Sequence, residues 1–141
     1  MKKFYCSLFI LFFGLFLTTY AQKSFDNLAG IWQMCNQVTK DSGEKVMACS
    51  PIWKVLNKDG SFYQFMLAHK DGMCAISHEG TYRKVDDNSY EEHILKHTYD
   101  SNMVDKKILL TFRFVNTDMI VLSFSLGGKE GNYKEVWKRV K

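Results

Sequence analysis

Beyond residue 21, the chain is a series of short segments in which apolar and polar residues alternate. A period of two is typical of strands that bury one face of a sheet, because successive side chains point to opposite sides. In the last segment, Tyr133, Glu135, Trp137 and Arg139 share one face, and the lysines and valines between them share the other. The pattern therefore predicts an all-β protein.

Turn signals separate the segments. Asp59-Gly60, Asp71-Gly72, Asp86-Asp87-Asn88 and Gly127-Gly128 each lie between runs rich in aromatic and β-branched residues. They delimit eight predicted strands, at residues 30–39, 50–57, 61–69, 74–85, 89–98, 107–115, 118–126 and 132–140. Nearly all connections are hairpin-short, so neighbouring strands should be antiparallel, and closing the sheet removes its exposed edges. We expect an eight-stranded antiparallel up-and-down barrel.

The amino terminus has a different pattern. A positive start is followed by an uncharged apolar run over residues 4–17, which is short of the about 20 residues of a membrane span. Thr19 and Ala21 place small residues at the positions that a signal peptidase reads. We therefore expect a cleavable secretory signal peptide at 1–21 and a β-barrel domain at 22–141. This makes the protein secreted or periplasmic, with no integral membrane span after cleavage.

Charge limits the partners that the domain can have. Without the expected leader, 17 basic and 15 acidic side chains remain, evenly interspersed along the chain. Nucleic acids and anionic membranes are bound by concentrated positive patches. We therefore expect neither as a partner, and the sequence leaves the oligomeric state open.

Three cysteines follow the expected leader: Cys35, Cys49 and Cys74. In an oxidising compartment an odd number implies one bridge and one remaining thiol, or a bridge between molecules. Residues 41–44 read as a turn that brings positions 35 and 49 nearly opposite each other on adjacent strands. We predict a Cys35–Cys49 disulfide, with three buried free thiols as the alternative.

Several motifs together resemble a known group of barrels. They are Gly30-Ile31-Trp32, the hairpin Lys54-Val55-Leu56 to Asp59-Gly60-Ser61-Phe62, Gly80-Thr81-Tyr82, and the closing segment from Tyr133 to Arg139. The set resembles the lipocalin and fatty-acid-binding-protein superfamily, and more closely a lipocalin-like family of unknown function from Bacteroidetes. The resemblance implies that Trp32 closes the barrel floor, with Gly30 beside it and Arg139 packed across the indole. It implies a fold and no particular ligand.

The barrel interior is the expected functional region, because eight strands leave room for their own side chains or for one small ligand. Lys54, Arg113 and Glu135 are charges that, if they point inward, either pair with one another or hold an anionic head group. A pair between Glu135 and Arg113 is the plainer outcome. The residues assigned to a ligand site inside the barrel are Trp53, Phe65, Tyr82, Phe112, Arg113, Phe124, Tyr133 and Glu135.

Four histidines raise the question of a metal site. His93 and His97 would lie about 13 Å apart along a strand, too far to share one ion. We expect His69 to face Cys74 across a turn, which supplies only two ligands. We therefore predict no metal site, and surface or rim positions for His78 and the other histidines.

Catalytic signatures are also missing from the sequence. Glu91 and Glu92 are adjacent on a strand and point to opposite faces, so only one of them enters the interior. No nucleophile elbow, phosphate loop or Cys-x-x-Cys occurs, so we expect no cofactor and no catalytic residue. The expected function is the binding of a small hydrophobic or amphipathic ligand. A protein-interaction module of the cell envelope with a filled barrel is the alternative, and an enzyme ranks last.

Overall fold

A computed structural model gives the fold and describes residues 26–67, 72–126 and 132–141. The strands are β1 (Gly30–Thr39), β2 (Lys45–Leu56), β3 (Ser61–Leu67), β4 (Cys74–Lys84), β5 (Ser89–His97), β6 (Lys107–Asn116), β7 (Met119–Phe124) and β8 (Tyr133–Arg139). They pair antiparallel in chain order, and β8 returns to β1 to close the barrel. The predicted all-β, eight-stranded up-and-down barrel is confirmed. The expected signal peptide and His69 lie outside the described residues.

The first hairpin is longer than predicted. β2 begins at Lys45, five residues before the expected start, because Thr39 pairs with Lys45 directly after a tight turn. Backbone hydrogen bonds between Lys40 and Glu44 and between Gly43 and Lys40 hold that turn. Pro51 lies inside β2, where the register with β1 shifts, so its missing N–H group falls at an irregular point of the ladder.

The connection between β5 and β6 contains a 3-10 helix at Ser101–Met103. Asp100 precedes it and accepts a hydrogen bond of 2.9 Å from the backbone N–H of Asn102. No helical segment among the described residues has the length and apolar character that a bilayer crossing requires.

Cross-strand register places one set of alternate residues inside the barrel. Trp32 lies opposite Lys54, Lys54 opposite Gln64, and Gln64 opposite His78. Together with Leu28, which precedes β1, inward residues form a core in which aromatic rings fill one half of the barrel. Its buried members are Leu28, Trp32, Leu56, Phe62, Tyr82, Tyr90, Ile94, Leu110, Phe112, Ile120, Leu122 and Trp137.

One end of the barrel, the floor, is closed around Trp32. Its indole Nε1 donates a 2.8 Å hydrogen bond to the carbonyl of Leu28. The guanidinium of Arg139 lies 4.1 Å from the Trp32 ring centre and donates to the carbonyl of Ala29 at 2.9 Å. Gly30 has a φ of +147°, which favours glycine, and a Cβ atom there would lie 2.4 Å from Nη1 of Arg139 and displace the guanidinium.

A disulfide joins the first two strands. Cys35 lies opposite Cys49 in the β1–β2 register, and their sulfur atoms are bonded. Cys74 is a free, exposed thiol at the start of β4. The predicted pairing is confirmed, and the alternative of three buried thiols is wrong.

Candidate ligand-binding cavity

A cavity of about 160 Å³ lies inside the other half of the barrel. It is surrounded by inward residues of β2 to β8, together with one residue of the 3-10 helix and one that follows β7. The lining consists of Lys54, Gln64, His78, Glu92, Ile94, His97, Met103, Ile108, Leu110, Phe124, Leu126 and Glu135. A cavity of roughly 150 Å³ is enough to hold benzene, whereas ordinary ligand pockets span about 300–1,000 Å³. The space therefore suits one ring or a short chain.

A buried ion pair forms one wall of the cavity. Nζ of Lys54 lies 2.7 Å from Oε1 of Glu92, and both side chains are almost completely buried. The hydroxyl of Tyr90 donates to the same carboxylate oxygen at 3.2 Å. Burial, followed by the charge of Glu92, raises the pKa of Tyr90 well above its usual value, so the phenol keeps its proton. The ammonium of Lys54 thus already has its counter-ion.

Glu135 brings a second carboxylate to the cavity. Its Oε2 accepts a 2.9 Å hydrogen bond from the indole Nε1 of Trp137. Among residues 26–67, 72–126 and 132–141, no lysine or arginine nitrogen lies within the 4.0 Å of an ion pair with this carboxylate. The described lining therefore holds two carboxylates and one ammonium.

His78 is held as a neutral ring. The hydroxyl of Ser77 donates to the carbonyl of Gln64 at 3.0 Å, so its oxygen is left to accept from Nδ1 of His78 at 3.1 Å. That assignment leaves Nε2 of His78 as an acceptor. Burial, and then the charges of Lys54 and His97, lower the pKa of His78 from 6.5 to about 3.

His97 stacks on His78, with ring centres 5.4 Å apart and planes 6° from parallel. Its Nδ1 accepts from the backbone N–H groups of Asp100 at 3.0 Å and Tyr99 at 3.3 Å. Because Nδ1 is an acceptor, the ring proton resides on Nε2. The chain that leads into the 3-10 helix thus fixes the tautomer of His97. In the described part of the chain, no three His, Cys, Asp or Glu side chains gather in a group that could hold a metal ion.

Five of the predicted ligand-site residues point into the barrel. Phe124 and Glu135 line the cavity. Tyr82 and Phe112 are buried in the half that is filled with aromatic rings. Tyr133 is 39% exposed and stacks on Phe124, with ring centres 5.5 Å apart. The inward set is therefore divided between the cavity, the packed half and the rim.

For Trp53 and Phe65, the predicted inward orientation was wrong. They are opposite each other on β2 and β3, and their rings stack 5.4 Å apart on the outer wall. The reason is the adjacent pair Lys54 and Gln64, which faces the cavity. Because side chains alternate, the two rings must face outward.

Arg113 also faces outward and is exposed, because the neighbouring Phe112 and Phe114 face the interior. The predicted pair of Arg113 with Glu135 is therefore wrong. The ion pair inside the barrel joins Lys54 to Glu92 instead.

Five polar cavity residues were absent from the predicted site, although Lys54 was considered as a possible inward charge: Lys54, Gln64, His78, Glu92 and His97. The sequence could have predicted one of them, Glu92. It alternates with Tyr90 and Ile94, which are both apolar and buried, so the three side chains share the inward face. His97 has no such signal. Counting by two from Ile94 would put it outside, and a register shift at Glu79–Gly80 brings it opposite His78.

Comparison with known proteins gives one family. Residues 27–141 match the family described as a domain of unknown function (DUF4488), and the match spans all eight strands and the cavity lining. No curated protein matches the chain. The chain therefore belongs to the DUF4488 family.

Proposed function

We propose that this protein is an exported binding protein that holds one small hydrophobic or amphipathic molecule in the cavity of its barrel. The observation that carries the proposal is the cavity of about 160 Å³ itself. Aromatic side chains fill the floor half, and inward residues of the other half surround the cavity. A barrel of eight strands is of the size that holds one small ligand.

The composition of the cavity wall supports this function. Ile94, Ile108, Leu110 and Phe124 offer apolar contact, and they are mixed with hydrogen-bonding groups such as Gln64. Small-molecule sites commonly combine apolar walls with a few polar groups that orient the ligand. The cavity volume limits the size of the ligand, because a long-chain lipid would exceed that volume and a single ring would not.

The compartment of the protein and its class, a binding protein and not an enzyme, are part of the same proposal. The signal-like residues 1–21 and the Cys35–Cys49 bridge support a secreted or periplasmic protein, because disulfides persist in oxidising compartments. The resemblance to the lipocalin superfamily, with Trp32 and Arg139 at the floor, supports a holding role. The chain binds its ligand and carries out no reaction on it.

Filling the cavity tests the proposal. We expect Ile108→Phe to abolish binding of small aromatic molecules such as benzyl alcohol, because the added ring occupies the ligand space. Leu109→Phe is the matched control, since Leu109 is the next residue on β6 and is 53% exposed on the outer wall. Binding is followed by chemical shifts of the cavity residues, and native mass spectrometry shows whether the purified protein carries a ligand.

The proposal fails if the wild type carries no ligand and no probe shifts a cavity resonance. It also fails if Ile108→Phe, still folded, binds as well as Leu109→Phe.

The outer wall supports a second candidate, protein interaction at the cell envelope. Tyr63 and Phe65 have ring centres 6.2 Å apart, next to the stacked Trp53. Ile76 and Leu67, nearby in the register, are 46% and 41% exposed. Grouped apolar side chains on a surface commonly mark an interaction site. Under this alternative, Trp53→Ser weakens the association of this protein with its protein partner, as measured by sedimentation velocity. Under the ligand-binding proposal, the same substitution leaves benzyl alcohol binding unchanged.

A further inference from the structure

We infer that the cavity selects small organic cations, with a protonated amine at Glu135 and an apolar body against Phe124 and Leu110. This inference rests on the proposed function and names the ligand class of the same site. It reverses the expectation of an anionic head group, for reasons of charge balance.

The two carboxylates that line the cavity differ in their charge partners. Glu92 is in contact with Lys54 at 2.7 Å, and Glu135 contacts the neutral indole of Trp137. Glu135 is half-buried, and in the described part of the chain no lysine or arginine nitrogen lies within 4.0 Å of its carboxylate. A bound ammonium group is attracted to this carboxylate, whereas a bound carboxylate is repelled by it.

His78 adds no positive charge to offset Glu135. Nδ1 of the neighbouring His97 is occupied by two backbone N–H groups. The contact of Ser77 with His78 leaves Nε2 of His78 as an acceptor, and the low pKa of that ring keeps it neutral. An acceptor nitrogen near the ligand favours a donor such as an ammonium group.

The two cations that would have bound an anion are committed elsewhere. Nζ of Lys54 contacts Glu92 and also lies 5.6 Å from the ring centre of Trp137. Arg113 is exposed on the outer wall. Neither side chain provides an unpaired positive charge inside the barrel.

Register supplies the apolar half of the site. Glu135 lies opposite Leu122 on β7, and Phe124 is two residues further along the same inward face. Phe124 in turn lies opposite Leu110 on β6, so two apolar side chains follow the carboxylate around the wall. An amine with one aromatic ring matches this arrangement and the volume of about 160 Å³.

Three probes of nearly equal shape test the charge. Benzylamine, benzyl alcohol and benzoate share one ring and carry positive, zero and negative charge near neutral pH. We expect benzylamine to bind about tenfold or more tightly than benzyl alcohol, because a hydrogen bond to a charged group is stronger than a neutral one. Benzoate should bind most weakly.

The indole N–H signals give a site-specific readout in a ¹H–¹⁵N spectrum. Trp137 donates to Glu135, so its Nε1–H signal should shift on addition of benzylamine. Trp32 donates to Leu28 at the floor, and its signal serves as the internal control that should stay in place.

Glu135→Gln removes the charge and keeps an acceptor for Trp137. We expect it to weaken benzylamine binding about tenfold to a hundredfold and to leave benzyl alcohol binding nearly unchanged. Glu91→Gln is the control, because Glu91 faces outward and pairs with Arg83 at 3.1 Å. It should leave binding of all three probes unaltered.

The outcomes separate the two claims. Benzoate binding as tightly as benzylamine overturns the cation inference and leaves the cavity as a binding site. So does an equal loss of benzylamine and benzyl alcohol in Glu135→Gln. If none of the three probes shifts a cavity signal, both the inference and the proposed function fail. The comparison of probes on the wild type holds even if Glu135→Gln does not fold.

Discussion

At the residue scale, the cavity is shaped by which polar atoms already have partners. Lys54 is neutralised by Glu92, and the hydroxyl of Ser77 sets the proton of His78. Buried polar groups are costly unless they are paired, so these contacts fix the wall in one arrangement. What remains for a ligand is the carboxylate of Glu135 and the apolar surface beside it.

The buried ring of His78 predicts an acid-sensitive fold. Its pKa of about 3 lies below the ordinary 6.5, so between these pH values the unfolded chain binds a proton that the folded chain does not. Stability is therefore lost as pH falls from about 6.5 toward 3, by up to about 1.4 kcal/mol per pH unit.

His78→Asn should reduce that slope while keeping an N–H group for Ser77, as measured by urea unfolding at several pH values. His93 lies between the inward residues Glu92 and Ile94, so it faces the outer wall, where its side chain is 32% exposed. His93→Asn should leave the slope closer to that of the wild type. An unchanged slope in His78→Asn would show that the acid sensitivity comes from other groups.

At the element scale, irregularities in strand pairing aim the cavity side chains. The β4–β5 register shifts between Glu79 and Gly80, and this shift brings His97 opposite His78. A shift in the β3–β4 register leaves Ser77 buried, with its hydroxyl on the carbonyl of Gln64. Such bulges redirect side chains that plain alternation would point the other way.

Gly80 is needed at one of these bulges. A Cβ atom there would lie 1.9 Å from the backbone carbonyl oxygen of His93, and main chain cannot move aside cheaply. Gly80→Ala should cost about 3 kcal/mol or more of unfolding free energy, or prevent folding, in urea titrations. Gly43→Ala is the control, because an added Cβ atom would meet no atom within 4 Å and the variant would be strained only by the positive φ. It should cost about 1–2 kcal/mol of unfolding free energy. Equal losses in the two variants would contradict the packing argument.

The disulfide constrains the β1–β2 hairpin. Cys35 and Cys49 are 14 residues apart in sequence, and closing such a loop stabilises the fold by about 3 kcal/mol in the chain-entropy model. The double variant Cys35→Ala/Cys49→Ala should lose about that amount in urea unfolding. Cys74→Ala should change little, because Cys74 is exposed and unbridged. Peptide mapping that found Cys35 joined to Cys74 would contradict the pairing.

At the scale of the whole molecule, the barrel has a packed half and a hollow half. Tilted and edge-to-face rings fill the floor, where the ring centres of Phe112 and Phe114 are 6.0 Å apart and those of Trp32 and Phe114 are 6.4 Å apart. The opposite half is lined by aliphatic, polar and charged side chains together with Phe124. The packed half therefore holds the buried aromatic core, and the other half holds the cavity.

Local sequence patterns were sufficient to predict the fold. Alternation and Gly-containing turns located all eight strands, and β1 was predicted at its observed bounds, because local periodicity and turn chemistry specify hairpins directly. The Cys35–Cys49 pair followed from the same hairpin logic. Phe124 and Glu135 were found because their strands alternate regularly.

The choice of residues that face the cavity depends on how the strands pair in the closed barrel. Trp53 was expected inside because it is aromatic. It faces outward because the adjacent Lys54 faces the interior. There Lys54 pairs with Glu92, which is 38 residues away in sequence and is brought close by the closed barrel. His97 faces inward through a register shift that no local pattern marks. Local sequence sets the period of a strand, whereas its phase toward the interior depends on pairing across the barrel. The volume of the cavity likewise depends on how side chains from seven strands meet.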